Sequence, residues 1–253
     1  IEESRKEHEA LGIPYNYTHL TYPNLWNRYV RGYLEADVLI CPSQHSAEVM
    51  RSFGADEKRI RIIPHGCDLP ETVQPLPKDF RVGYLGAYGP DKGVRYLLEA
   101  WKKLNYQDAT LVLAGRDSTS PFVHALVNAF GGGRIEVMGW VESVSNFYDN
   151  ISLYVQPSVS EGFGIEVLEA MAHGRAVICS RGAGAVDCVI DGFTGFHAEP
   201  RDVDQLASCI DSLKASPILT QKMGNRGVSL ASSYTWKEIR GAYVSVWKEM
   251  LNG

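Results

Sequence analysis

Residues 80–115 read FRVGYLGAYGPDKGVRYLLEAWKKLNYQDATLVLAG, and this stretch decides the fold. RVGYLGAY (81–88) is an apolar run carrying a glycine near its end. The amphipathic segment GVRYLLEAWKKL (93–104) follows, and TLVLAG (110–115) is a second apolar run. Short runs rich in Val, Ile and Leu that alternate with amphipathic helices predict a parallel sheet covered on both faces, because each strand must be apolar on both sides.

The same grammar continues toward the C-terminus. SPFVHALVNAF reads as a helix, RIEVMG (134–139) as a third strand and ESVSNFYDN as a short helix. LYVQPS (153–158) is a fourth strand, IEVLEAMAHG a helix, AVICS (176–180) a fifth strand and TGFHAEP a sixth. Only helices follow: DVDQLASCIDSLKAS, PILTQKMGNRGVSLASSY and TWKEIRGAYVSVWKEML. The expected fold class is therefore α/β, with a doubly wound, Rossmann-like domain in the C-terminal part.

Toward the N-terminus the pattern is similar but shorter. NLWNRYVRGYLEA (24–36) reads as a helix, DVLICPS (37–43) as a strand, HSAEVMRSF (45–53) as a helix and RIRIIPHG (59–66) as a strand. Leu69–Lys78 holds three prolines and marks a linker. Two strands are too few for an independent doubly wound domain, which normally needs ~100 residues or more. Ile1–His8 (IEESRKEH) reads as the middle of a helix, so the chain is expected to begin inside a larger domain. The organisation expected is residues 1–70 as the remnant of an N-terminal domain, 71–79 as linker, 80–234 as a ligand-binding domain, and 235–253 as a helix packing back on the first domain. On that last helix the stripe Tyr243, Val246, Trp247 and Met250 reads as core.

Composition sets further bounds. The 253 residues carry a formal charge of −5, which disfavours nucleic acid as a partner. The five cysteines, Cys41, Cys67, Cys179, Cys188 and Cys209, are scattered and form no C-x-x-C pair, so buried free thiols in a reducing compartment are expected. No apolar stretch reaches the ~18 residues of a membrane helix. The location expected is cytoplasmic, with room for peripheral membrane association.

The chemistry concentrates at SEGFGIEVLEAMAHG (160–174). In an open α/β sheet, ligands bind outside the carboxyl ends of the strands, where Ser160–Gly164 falls. Gly162 and Gly164 let backbone N–H groups approach a ligand at the N-terminus of a helix, which favours anions. Helical spacing puts Ile165, Leu168, Glu169 and Ala172 on one face, so Glu169 is a carboxylate on an apolar stripe. An unpaired buried charge costs several kcal/mol, and a vicinal diol such as a ribose would supply two donors. The bland alternatives are a helix-capping role for Glu161, a lysine partner for Glu169, and a solvated or paired Glu166.

EGFGIEVLEAMA resembles the E-x7-E signature of glycosyltransferase family 4, a group of retaining enzymes of the GT-B fold. IIPHGCD (62–68) is similar to the family's I-P-N-G-V-D crossing, with His65 in place of Asn. LGAYGPDKG (85–93) resembles its G-R-L-x-x-x-K-G phosphate loop, MGWV (138–141) and YVQPSVSEGFG (154–164) fit the strands before the signature, and IDGFTGF (190–196) resembles the D-G-x-T-G-x-L turn after it. The resemblance implies a GT-B fold with a partial Rossmann-like N-terminal domain. It also implies transfer of a sugar, mannose or glucose, from a GDP-, UDP- or ADP-linked donor to a hydroxyl of a carbohydrate or lipid-linked acceptor.

By position, the resemblance places Glu161 beside the transferred sugar and Glu169 on the ribose hydroxyls. Gly162, Phe163, Gly164 and Ile165 would contact the sugar and diphosphate, as would Gly86 and Ala87 of the phosphate loop. Lys92 would neutralise the leaving diphosphate. The family's arginine after the first glycine of that loop is Ala87 here; Arg116 or Arg181 could compensate from a neighbouring strand end, the alternative for each being a surface arginine. Gly174-Arg175-Ala176-Val177 replaces Gly-x-Pro-Val, which reads as a packing change. No cofactor and no metal are expected; Asp202 and Asp204 form D-V-D but open a helix elsewhere. His19, His45 and His65 are given no catalytic role. A second domain, or another chain supplying it, is expected to complete the acceptor side. The competing readings are an epimerase- or phosphorylase-like relative and a non-catalytic partner subunit.

Overall fold

The computed structural model describes residues 23–252 together with Arg5, Lys6, Glu9, Leu11 and Gly12. Arg5, Lys6 and Glu9 are helical; the rest of the expected N-terminal helix, and His19, lie outside the described residues.

Two parallel sheets organise the chain. The smaller is built from α1 (Pro23–Glu35), β1 (Leu39–Cys41), α2 (Gln44–Ser52) and β2 (Ile60–Ile62). Leu39, Ile40 and Cys41 pair in register with Ile60, Arg61 and Ile62. Ser43 caps α2, its Oγ accepting from the Ser46 amide at 3.0 Å, which satisfies one of the amides a helix start leaves without an intrahelical partner.

The larger sheet uses β3 (Phe80–Leu85), β4 (Ala109–Ala114), β5 (Ile135–Gly139), β6 (Leu153–Gln156), β7 (Ala176–Ser180) and β8 (Gly195–Ala198). Between them run α3 (Val94–Leu104), α4 (Pro121–Phe130), α5 (Val144–Asp149) and α6 (Ile165–Ala172). The helices α7 (Val203–Ala215), α8 (Pro217–Ala231) and α9 (Trp236–Asn252) complete the chain. All six strands are parallel, in the order β5-β4-β3-β6-β7-β8. The winding direction reverses between β3 and β6, so a crevice must open there at the carboxyl ends of both strands.

The period-2 alternation of the strands explains the two covered faces. Leu111, Leu113, Leu153, Val155 and Ile178 pack on α3, α4 and α7 through Leu97, Leu98, Trp101, Val123 and Ile210. Their neighbours Val112, Tyr154, Val177 and Cys179 face the other way, onto Phe147 and Tyr148 of α5 and Val167, Leu168 and Met171 of α6. Each such aliphatic side chain removed from water contributes roughly 1.5–3 kcal/mol.

Three features differ from the sequence reading. Lys92, expected in a loop, ends a short 3₁₀ turn, Pro90–Lys92, that the pattern did not announce, and α3 begins only after Gly93. The stripe on α9 is only half used. Val246 is buried and packs with Ile63 and Ile239, whereas Trp247 and Met250 are exposed.

Arg175 is the third. It is more than a packing substitution: its fully buried guanidinium donates to the carbonyls of His173 (2.9 Å), Ile151 (3.2 Å), Gln74 (2.6 Å) and Pro75 (3.3 Å). The proline-rich segment, which contains neither helix nor strand, is thereby fastened to the large sheet. As expected, the five cysteines are free; four are buried and Cys209 is half-buried.

Candidate functional site

A cleft of about 420 Å³ opens where β3 and β6 diverge. Its floor is Tyr84, Leu85, Gly86 and Gln156 at the strand ends; one wall is Glu161–Glu166, and Pro42 and His65 close it from the smaller sheet.

Lys92 and Glu161 lie 69 positions apart, and the backbone explains why they meet. The Asp91 carbonyl accepts from the amides of Val159 (2.8 Å) and Ser160 (3.3 Å), tying the 3₁₀ turn to the loop after β6. Gly93 permits this approach: it sits at φ +69°, and a Cβ there would lie 2.0 Å from the Pro157 carbonyl oxygen. Lys92 Nζ thus forms an ion pair with Glu161, each side chain about one-fifth exposed.

The glycine loop is knitted to the strand ends beside it. The Glu161 amide donates to Gly182 O (2.9 Å), and Glu161 O and Phe163 O accept from Gly184 (3.0 Å) and Ala185 (2.7 Å). Ser43 Oγ, at the α2 cap, donates to Gly162 O at 2.7 Å. His65 meets Phe163 edge-on with ring centroids 5.0 Å apart. Gly164 turns the chain at φ +92° directly into α6 without a side-chain cap. α6 therefore starts at the cleft with no side-chain cap from Gly164, and a helix start of this kind favours an anion.

The electrostatics are uneven. Burial works against the charge of Lys92, but the Glu161 carboxylate outweighs it and raises the ammonium's pKa. Burial lowers the pKa of His65, which keeps that imidazole neutral near pH 7. Glu166 is held above the usual carboxylate range by burial and by the neighbouring Glu161 and Glu169. Tyr84, Tyr148 and Tyr154, all buried beneath these carboxylates, are pushed well above 10 by burial first of all.

Of the residues singled out in the sequence, Lys92, Glu161, Gly162, Phe163, Gly164, Ile165, Gly86 and Ala87 all line the cleft. Glu169 does not line it. It is half-buried one turn further along α6 and accepts a hydrogen bond from Tyr148 OH at 2.8 Å, so a tyrosine rather than a lysine satisfies one of its oxygens. Arg116 is also outside: it is exposed, its guanidinium carbon 5.7 Å from the Trp140 ring centroid. Arg181 pairs with Glu199 at 3.0 Å. Neither arginine brings a cation to the cleft, and Ala87 contributes only its backbone, whose carbonyl accepts from Tyr84 OH. Asp202 caps α7, accepting from the Gln205 amide at 2.9 Å. Among the described residues no group of three or more His, Cys, Asp or Glu stands where it could hold a metal ion.

The sequence reading missed Tyr84, Gln156, Pro42 and Glu166, and left His65 without a place in the site. Gln156 carried a legible signal: an amide inside an apolar strand must find partners. It accepts from Tyr154 OH at 2.6 Å and donates to Ser158 Oγ at 2.8 Å. Glu166 was read as solvated or paired, but it faces the cleft. Pro42 and His65 arrive from the smaller sheet, and nothing in their local pattern announces that contact.

The chain is similar to known glycosyltransferases in sequence and in fold. The chain is 29% identical over 221 residues to the O-antigen chain mannosyltransferase B of Escherichia coli, covering 80% of this chain and 58% of that protein. It is 28% identical over 187 residues to the capsular polysaccharide biosynthesis glycosyltransferase CapM of Staphylococcus aureus, covering 69% of this chain and 48% of the relative. The chain spans about half the length of the curated relatives it matches. Its fold is that of Anabaena HepE, solved with UDP-glucose (TM-score 0.78, 20% identity, 88% of this chain and 67% of that one). Sucrose-phosphate synthase from Thermosynechococcus elongatus shares it too (TM-score 0.79, 24% identity, 88% and 61%). The fold class is thus the GT-B architecture expected from the sequence. Residues 7–71 match the model described as Glycosyltransferase Family 4. With residues 79–216, more than half of its length, matching the model described as Glycosyl transferases group 1, this chain belongs to that glycosyltransferase family.

Proposed function

We propose that the chain is the donor-binding part of a retaining hexosyltransferase that moves mannose or glucose from a nucleoside-diphosphate sugar to a hydroxyl acceptor in glycan or glycolipid synthesis. The observation that carries the reading is the convergence of Lys92, Glu161 and the uncapped start of α6 on one cleft at the switch point of the sheet. An ammonium and a helix N-terminus together seat a diphosphate. The mannosyltransferase among the relatives supports the choice of sugar, and the UDP-glucose in the HepE complex supports a nucleotide-sugar donor.

In this reading the diphosphate displaces Glu161 from Lys92. The freed carboxylate then faces the sugar, while the ammonium stabilises the departing phosphate. Retaining glycosidases flank the bond with carboxylates ~5 Å apart. Glu161 and Glu169 address the sugar and the nucleoside instead. A same-face substitution follows, in which the leaving phosphate takes the acceptor proton and the site supplies placement and charge. Glu169, with one oxygen held by Tyr148, offers the other to a ribose hydroxyl. We also propose that residues 1–70 belong to the acceptor-side domain, 71–79 to a linker and 80–234 to the donor domain, with 235–253 packing back on the first. The chemistry is proposed to need no metal or cofactor. Incubation with UDP-, GDP- and ADP-linked glucose and mannose, followed by release of the nucleoside diphosphate, tests the reading. Release from one donor that is lost in Lys92→Met supports it. No release and no binding with any donor contradicts it.

A further inference from the structure

Glu166 occupies a place the proposed chemistry does not use. It lies in the first turn of α6 and lines the cleft together with Gly86, Ala87, Lys92 and Glu161. Among the described residues no other residue donates a hydrogen bond to its carboxylate. The groups whose charge reaches it come from every element around it: Glu161 from the loop, Glu169 from α6, Lys92 from the 3₁₀ turn, Tyr84 from β3, Tyr148 from α5 and Tyr154 from β6. His65 lines the same cleft, edge-on to Phe163.

Counting the ionisable lining, the cleft has one cation, Lys92, against two carboxylates, Glu161 and Glu166. A diphosphate entering such a site meets more carboxylate than ammonium charge, against the pull of the α6 N-terminus, unless one carboxylate is neutral. No arginine relieves this, since Ala87 is a methyl group and Arg116 rests on Trp140. We propose that Glu166 enters the donor complex as the neutral acid and donates a hydrogen bond to a diphosphate oxygen, so that each nucleotide donor binds together with one proton.

The inference rests on the donor-site reading above and deepens it. A carboxylic acid has one O–H to give, and a charge-assisted O–H···O⁻ bond is among the stronger hydrogen bonds. The acid thus supplies part of what a guanidinium would, at a position where burial, with Glu161 and Glu169 nearby, raises the carboxyl's pKa in the free protein. The proton comes from solvent on binding and returns to it on release; no bond to carbon or phosphorus changes. The sign follows directly. The acid's pKa is higher in the complex than in the free protein, so affinity is full below the free value. Above it, affinity falls up to tenfold per pH unit until the value in the complex is reached.

The test is calorimetry on the full chain with UDP-glucose, GDP-mannose and ADP-glucose as probes. Their diphosphates are diesters with no group titrating near neutrality. Titrations run at several pH values between about 5.5 and 8.5, each in two buffers of different ionisation enthalpy. The wild type should take up close to one proton per donor across part of that range, with Kd rising toward tenfold per unit. Glu166→Gln, which keeps a donor N–H without a titration, should show no uptake and a flat profile. At the alkaline end it should bind tighter than wild type, and Glu166→Ala should bind several-fold weaker than Glu166→Gln. Binding without uptake in the wild type overturns the proposal while leaving the donor site standing. So does uptake that survives Glu166→Gln and vanishes in His65→Asn, which would put the proton on the imidazole. Binding that requires Mg²⁺ and is lost in Glu166→Gln overturns it as well, making Glu166 a cation ligand. If no donor binds at any pH, the donor-site reading fails and the inference falls with it.

Discussion

Replacing Arg175 by methionine removes a buried cation while keeping a side chain of similar reach, and the structure fixes what that should cost. Four carbonyl oxygens lose their donor: Gln74, Pro75, Ile151 and His173. Gln74 and Pro75 are exposed, so their oxygens turn to water. Ile151 and His173 are buried, and theirs cannot. Each stranded buried acceptor costs about 1–3 kcal/mol, giving roughly 2–6 kcal/mol for the pair. Relief of a desolvated guanidinium, whose pKa burial already lowers, offsets part of this, as does the apolar thioether. The net expectation is a loss of about 2–4 kcal/mol. In urea, with a slope of about 2–3 kcal/mol per M for a chain of this size, the midpoint should fall by roughly 1 M. Limited proteolysis should show the 69–78 segment cut sooner, because its tether is gone. A midpoint within about 0.2 M of wild type, with no new cleavage, would refute the argument, since the buried carbonyls would then have partners the structure does not give them.

Other outcomes follow from single contacts. Gly93→Ala forces a Cβ to within 2.0 Å of the Pro157 carbonyl at φ +69°. It should displace Lys92 and weaken donor binding more than tenfold by calorimetry. Lys92→Met should slow donor turnover by on the order of 100-fold and, by leaving the mostly buried Glu161 carboxylate without its partner, lower the thermal midpoint. Tyr148→Phe removes the donor to Glu169 and should weaken nucleoside diphosphate binding several-fold, an effect absent with inorganic pyrophosphate. Cys209, half-buried with its thiol pushed up to about 11 by burial, should resist a thiol reagent at neutral pH. Its labelling should accelerate about tenfold per pH unit on the way to that value, since only the thiolate reacts.

The large sheet was legible because its strands are short apolar runs set off by glycines, a pattern that only burial on both faces explains. The cleft was legible where residue type and backbone requirement coincide, as at Gly164 and Glu161. Lys92 was expected in the loop before the helix and lines the cleft, but the short turn that carries it went unread. A three-residue 3₁₀ turn leaves no periodic trace, and Gly93, the residue that ends it, reads locally as the first position of a helix. Glu166 and His65 were hidden for a different reason. Whether a polar side chain on a helix flank meets solvent or a cavity depends on what packs opposite, here β3 and the smaller sheet, and no local pattern encodes a partner that arrives from elsewhere in the chain. The exposed Trp247 and Met250 teach the converse: an apolar stripe states what a helix can bury, not how much of it a neighbour covers.

The central claim is that the crevice between β3 and β6 seats the diphosphate of a sugar nucleotide. A crystal structure of the chain with UDP-glucose or GDP-mannose at saturating concentration tests it most directly. The account predicts diphosphate density within hydrogen-bond reach of Lys92 Nζ and the first amides of α6, with Glu161 released from the lysine and turned toward the sugar. A nucleotide seated elsewhere, for example along the groove beside Trp140 and Met138, with the Lys92–Glu161 pair intact, would contradict it.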